Sequence, residues 1–271
     1  MKKRIIGISL LFILVLLCSA CNGTITRSLR HDGFSVSTKF ICDDFYPTNK
    51  EDNSYKKIKF MTSNNIIDND GHIYDISLGK IYSNKQNCKK ANTNLVVKAI
   101  FDNKIIKGSD NKYYQLDNYS LISETDKSYE LYKLLLSDDN VVKVITVDSS
   151  IGIYYLLKSD GNVYSYNITK VDNNSPLRIV SKTIIYDKSN YGSNIIDFNY
   201  VGETIGTYIK TEDSYYRMIA TNYDDCSKYA DVSCIYSIEK DEVLDKYKDK
   251  IIVFNGNIVI TDYKQVFNVI K

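Results

Sequence analysis

A short motif recurs five times along this chain: an apolar pair bracketing one residue. The copies are Ile58-Lys59-Phe60, Val97-Lys98-Ala99, Val142-Lys143-Val144, Ile196-Asp197-Phe198 and Ile252-Val253-Phe254. Counted from the first residue of each copy, the steps are 39, 45, 54 and 56 residues. A strand–turn–strand pattern follows each copy. It is clearest at residues 154–166, where Asp160-Gly161 separates two arms rich in Tyr, Leu and Val. Asp-Gly supplies the positive φ that a tight hairpin turn needs. The first copy carries Asp70-Gly71 at this place, the second Ser109-Asp110-Asn111 and the fourth Glu212-Asp213-Ser214. A fourth strand is expected in most copies, at residues 80–83, 130–136, 181–186 and 233–239. Residues 127–136 are the one stretch that reads as well for a short helix as for a strand.

Frequent short runs of Ile, Val, Tyr and Phe, broken by Asp, Asn, Ser and Gly, mark an all-β chain. Units of four strands repeating every 40–50 residues or so are the mark of a β-propeller, and about 250 residues divided by about 50 gives five blades. The fifth unit runs out after its third strand, at 265–270. A strand-like run at 34–42 precedes the first unit. Adding that run to the last blade would close the ring and remove an exposed sheet edge. The expected division is a signal peptide at 1–20, a lipidated linker at 21–33 and a propeller at 34–271. An irregular β-sandwich or two-sheet protein is the alternative.

The unit at 141–167 (VVKVITVDSSIGIYYLLKSDGNVYSYN) resembles an RCC1-type propeller repeat, in which a buried strand precedes a hairpin with Asp-Gly at its tip. It departs from that family in lacking the Gly after the first strand and the Trp-Gly that ends the hairpin. The resemblance therefore implies architecture alone, and neither nucleotide exchange nor chromatin binding.

The N-terminus has the layout of an export signal. Lys2-Lys3-Arg4 precedes a run free of charge from Ile5 to Leu17, and Leu-Cys-Ser-Ala-Cys follows. Thirteen residues are short for a bilayer span. Ser19-Ala20 before Cys21 resembles the lipobox of bacterial lipoproteins, with Cys18 where that motif usually has leucine. The resemblance implies that Cys21 is diacylglycerylated and becomes the acylated first residue of the mature chain. Two or more acyl chains anchor a protein stably, whereas one binds marginally. The localisation that follows is extracytoplasmic, on the bacterial cell membrane.

Removal of residues 1–20 leaves 32 basic and 33 acidic side chains. Such a near-neutral chain lacks the basic footprint of a nucleic-acid binder. Four cysteines remain beyond Cys21, an even number that suggests two disulfides in an exported protein. The local loop favours Cys226–Cys234, which would leave Cys42 to pair with Cys88. Two histidines, His31 and His72, argue against a histidine-based zinc site.

No catalytic motif is present: there is no G-x-S-x-G, H-E-x-x-H, P-loop or G-x-G-x-x-G. Asp68-x-Asp70-Gly71 resembles part of a calcium loop, but a hairpin turn explains it better. The motif centres of three units are lysines, so Lys59, Lys98 and Lys143 form a candidate anionic-ligand site. Tyr113-Tyr114, Tyr154-Tyr155 and Tyr215-Tyr216 are expected to pack between units rather than to form a binding face. The function expected is a non-enzymatic binding module without a cofactor, its partner an envelope protein or glycan. A glycoside hydrolase using facing carboxylates in a central channel is the alternative, and Asp197 is the one acid at a motif centre.

Overall fold

The structure is a computed structural model. It describes residues 34–39, 45, 58–76, 88–170, 175–202, 206–220, 236–255, 258–261 and 265–269. The expected signal peptide, Cys21, the linker, Cys42, the strand at 80–83, Cys226 and Cys234 lie outside the described residues.

The chain is mostly β. Strand β1 (Phe34–Lys39) comes first, and five units follow. The first holds β2 (Ile58–Met61), β3 (Asn65–Asp68), β4 (Ile73–Ile76) and β5 (Cys88–Lys90). The second holds β6 (Val97–Phe101), β7 (Ile105–Gly108) and β8 (Tyr113–Gln115), followed by helix α1 (Tyr129–Leu136). The third holds β9 (Val141–Asp148), β10 (Ile153–Lys158), β11 (Val163–Thr169) and β12 (Arg178–Tyr186), then the single turn α2 (Lys188–Tyr191). In the fourth are β13 (Ile195–Gly202), β14 (Gly206–Thr211), β15 (Tyr215–Ala220) and β16 (Tyr236–Lys240), then α3 (Glu242–Lys246). The last has β17 (Ile251–Phe254), β18 (Ile258–Thr261) and β19 (Gln265–Val269). Each recurring motif of the sequence falls on the first strand of its unit.

Within a unit, consecutive strands pair antiparallel. Units two and three share one seven-stranded sheet, because β6 and β9 lie side by side and parallel, Ile100 opposite Lys143 and Phe101 opposite Val144. The last unit gains its fourth strand from the other end of the chain. β1 pairs antiparallel with β19, Phe34 opposite Val269 and Lys39 opposite Gln265, with a register slip between Val36 and Thr38.

The hairpin tips share one construction. In each of the first three units a residue with positive φ follows the turn aspartate: Gly71 (+86°), Asn111 (+62°) and Gly161 (+80°). The same pair of backbone bonds closes each turn: Gly161 N donates to Lys158 O, and Lys158 N to Asn162 O. Two tips also hold the next unit, since Gly71 O accepts Val97 N and Gly161 O accepts Ile195 N.

The expected strand at 130–136 is a helix instead. The segment Tyr-Glu-Leu-Tyr-Lys-Leu-Leu-Leu has no β-branched residue, and Leu, Glu and Lys lose little rotamer freedom in a helix. Leu135 and Leu136 are buried, and Tyr129, Leu131, Tyr132 and Leu134 pack against the same cluster. Lys107 on β7 secures the far end: its Nζ donates to Leu136 O at 2.8 Å and pairs with Asp139 at 2.8 Å. A cation on the last carbonyls suits the negative end of the helix dipole.

The core lies between successive units. Phe60, Ile67 and Ile73 of the first unit meet Val97, Ile100 and Ile106 of the second. Tyr154 and Leu156 of β10 face Phe101 and Ile105 of the second unit, whereas Tyr155 and Leu157 face Phe198 and Ile209 of the fourth. Alternate residues of a strand point to opposite faces, so a sheet packed on both sides needs a continuous apolar strand. That is why β10 is buried at all six positions. Val253 of the last unit packs with Met61, Ile66 and Tyr74 of the first. Tyr113, Tyr154, Tyr155 and Tyr215 are buried, so the tyrosine pairs serve this packing.

Candidate functional site

The first strands of four units converge on one charged junction. Lys143 on β9 is 1% exposed, and its Nζ donates to Asp197 Oδ1 at 2.8 Å and to Asn199 Oδ1 at 2.7 Å on β13. Asn199 Nδ2 donates to Asp197 Oδ2 at 3.1 Å and to Phe254 O on β17 at 3.2 Å. The Phe198 amide adds a third donor to Asp197, at 2.8 Å. The ammonium stands 5.5 Å from the ring centroid of Phe60 on β2 and 5.9 Å from that of Phe198. A buried ion pair holds when further hydrogen bonds satisfy its polar atoms, and here Asn199 and the Phe198 amide supply them.

The structure thus divides the three lysines expected to act together. Lys59 and Lys143 share the Phe60 ring, and Lys59 Nζ lies 5.3 Å from its centroid. Burial holds Lys59 below the usual lysine range. Lys98 is exposed and donates to Asn111 Oδ1 in the hairpin tip of its own unit at 3.2 Å. Lys210, opposite Asp197 in the β13–β14 register, joins the junction unforeseen. Its Nζ donates to Ile252 O at 3.4 Å, and burial lowers its pKa against the pull of Asp197. Register is a pairing property, so no signal local to Lys210 marks it. Asp197 itself is buried and accepts three hydrogen bonds, from Lys143, Asn199 and Phe198 N.

A second site lies just past the C-terminal ends of β2 and β6, where three turns enclose a cleft of about 460 Å³. Its walls are Thr62–Asn65 between β2 and β3, Asp102–Lys104 between β6 and β7, and Gln115–Asp117 after β8. Each wall is fixed locally. Thr62 Oγ1 accepts the amides of Asn64 at 3.3 Å and Asn65 at 3.0 Å. Asp102 (φ +50°) and Asn103 (φ +57°) form a two-residue turn in which both central residues have positive φ, the geometry that Asn and Asp tolerate best. The Asp102 carboxylate reaches across to β9, accepting Thr146 N and Thr146 Oγ1 at 2.6 Å each. Leu116 N donates to Lys104 O at 2.7 Å. Asn65 Nδ2 donates to Asp75 Oδ1 at 3.0 Å, and the Tyr119 hydroxyl donates to the same oxygen. Burial, then that bond to Asp75, pushes the Tyr119 phenol far up.

Against this fixed frame several polar groups are unused. Asn103 Oδ1 is buried and has no hydrogen-bond partner among the described residues. The side chains of Ser63, Asn64, Lys104, Gln115 and Asp117 line the cleft and make no hydrogen bond among the described residues. Sequence reasoning passed over this cleft because its walls come from separate units. Each wall taken alone is an ordinary turn of Asn, Asp and Ser.

At the hairpin tip of the first unit, Asp68, Asp70 and His72 bring potential ligand atoms within 4.8 Å of one another. Asp68 accepts the His72 amide at 2.8 Å, and His72 Nδ1 lies 3.2 Å from Asp68 Oδ2. The tip is the hairpin turn expected from Asp-Gly. Cys88, on β5, is disulfide-bonded, and its partner is outside the described residues.

No helix among the described residues is long and apolar enough to cross a membrane. The fold and the cleft together define an all-β protein with a polar pocket on its turn face. Compared with known proteins, the chain matches no family model and no curated sequence.

Proposed function

We propose that this chain is a five-bladed β-propeller, lipid-anchored through Cys21 outside the cytoplasmic membrane, and that it works as a non-enzymatic binding module. Three observations support the ring. The five units have alike strand order. First strands of successive units lie beside one another, with β6 against β9 and β9 against β13. β17 packs beside β2, and β1 completes the last sheet through β19. Export is supported by the bridged Cys88, since structural disulfides persist in oxidising compartments. Cys42–Cys88 and Cys226–Cys234 are the pairings proposed.

The observation that carries the binding role is the contrast between the two sites. The carboxylate at the junction of the first strands is buried and already bonded to three donors of the chain itself. The unengaged polar side chains line a cleft made of turns. Loops on a rigid scaffold are the usual place for recognition.

The test combines anchoring and retention. Cells producing the full chain are labelled with an alkyne fatty acid, and the purified lipoprotein is offered an envelope fraction. Label on the wild type and none on Cys21→Ser is expected, with envelope material retained by the wild type and lost by Asn64→Ala/Gln115→Ala. Label persisting in Cys21→Ser removes the anchor. Retention unaffected by the double substitution removes the cleft.

A further inference from the structure

We infer that the cleft between the first two units is a carbohydrate site that takes a neutral oligosaccharide of the cell envelope. The inference rests on the binding-module reading and adds the ligand's chemical class.

The first ground is the orphaned acceptor. Asn103 Oδ1 is buried without a donor in the cleft wall. Leaving such a group bare costs about 1–3 kcal/mol, which favours a turn of the amide toward the cleft, where water or a ligand hydroxyl can donate to it. The second ground is the kind of groups on offer. Asn64 and Gln115 carry amides that donate and accept at once, as sugar hydroxyls do. The third is what the lining lacks. Leu116 is its one apolar side chain and is 1% exposed, so the apolar surface of the lining comes from the carbon stems of polar residues.

Charge narrows the class further. The lining carries two carboxylates, Asp102 and Asp117, against the single cation Lys104, and the bonds from neutral Thr146 leave the Asp102 charge in place. A polyanion would meet no excess of cations there. The volume, about 460 Å³, is within the range of about 300–1,000 Å³ usual for small-molecule sites. The walls are also pre-organised by the Thr62 turn, the Asp102–Thr146 tie and the Asn65–Asp75–Tyr119 bonds. A ligand therefore spends little of its interaction energy on ordering the site.

The experiment uses the full chain in detergent. Saturation-transfer NMR and calorimetry are run with tetrasaccharides of N-acetylglucosamine, glucose and mannose. A peptidoglycan stem tetrapeptide and inorganic polyphosphate are run beside them. At least one neutral tetrasaccharide is expected to bind, and Asn64→Ala, Gln115→Ala and Asn103→Gly each to weaken it about tenfold, the loss of roughly one hydrogen bond. Asn103→Gly keeps the positive φ of the turn while removing the acceptor. Lys98→Ala, at a hairpin tip away from the cleft, is expected to bind as the wild type does. Unchanged thermal melts certify that each variant is folded.

No binding of any neutral tetrasaccharide at millimolar concentration overturns the inference, and so does binding that survives all three cleft substitutions. Tetrapeptide or polyphosphate binding that those substitutions abolish, without sugar binding, overturns the ligand class and leaves the binding module standing. Sugar binding accompanied by new reducing ends keeps the ligand class and overturns the non-enzymatic reading.

Discussion

Lys143 shows how much one side chain can join. It sits on the third unit, bonds the fourth through Asp197 and Asn199, and lies over a phenylalanine of the first. Removing one partner of a buried ion pair strands the other, which costs about 3–5 kcal/mol. Lys143→Met is expected to lower the urea midpoint by that amount without changing the slope. Lys143→Met/Asp197→Leu removes both charges and is expected to recover most of the loss, because apolar groups of similar volume often replace a buried pair without penalty. A double variant no more stable than the single one would show that the polar bonds, not the stranded charge, set the cost. In this structure the partners of Lys143 are groups of the chain itself, Asp197 and Asn199.

Among elements, the hairpin tip is the unit of construction. The same two backbone bonds recur in three tips, and the residue after the turn aspartate has positive φ in each. Gly161 has φ +80°, and a Cβ there would lie 2.6 Å from Asn194 Oδ1 of the next unit. Gly161→Ala therefore combines a left-handed backbone penalty of about 1–2 kcal/mol with a contact that must shift. Asn111 holds the equivalent position at φ +62° with a side chain. Asn111→Gly is expected to stabilise by up to about 1 kcal/mol, because the exposed Lys98–Asn111 bond it forfeits is worth little. Opposite signs in parallel thermal melts confirm the shared geometry, and equal losses refute it. Helix α1 teaches the complementary lesson. Its segment has apolar residues for either structure, and the helix follows from its Leu, Glu and Lys together with the slot beside the second unit, where Lys107 meets its last carbonyl.

At the scale of the whole molecule, the packing of sheet against sheet writes itself into the pH dependence of stability. Tyr186 is buried between the third and fourth units, and burial first, then Tyr216 beside it, pushes its phenol up to about 12. An unfolded tyrosine ionises near about pH 10. The folded form therefore holds more protons between these values, and stability falls with rising pH across that window. The contribution is complete below about pH 10 and is lost as pH approaches about 12, roughly 2–3 kcal/mol in all. Tyr215 moves in the same direction. Lys59 and Lys210, lowered by burial, act in the opposite sense. An unfolded lysine keeps its proton longer, so their effect raises stability up to about pH 10.4. Urea unfolding along a pH series is expected to show a gentle rise into the alkaline range and a fall beyond about pH 10. Tyr186→Phe is expected to soften the fall, and an unchanged fall would place its cause elsewhere.

The sequence by itself determined the strands and their turns. Five apolar–x–apolar segments became the five first strands, and Asp-Gly or its substitutes became hairpin tips, because both depend on local sterics and on burial from two sides. Tertiary structure alone decided the rest. It docked the helix of residues 129–136 against the second unit, committed Lys143 to Asp197, joined Lys98 on β6 to a hairpin tip and set Lys210 beside the junction. It also built the cleft from turns more than 35 residues apart, such as Asn65 and Asp102. Those outcomes depend on which surfaces meet when one sheet docks on the next, and a chain records its neighbours in space only through the faces it buries.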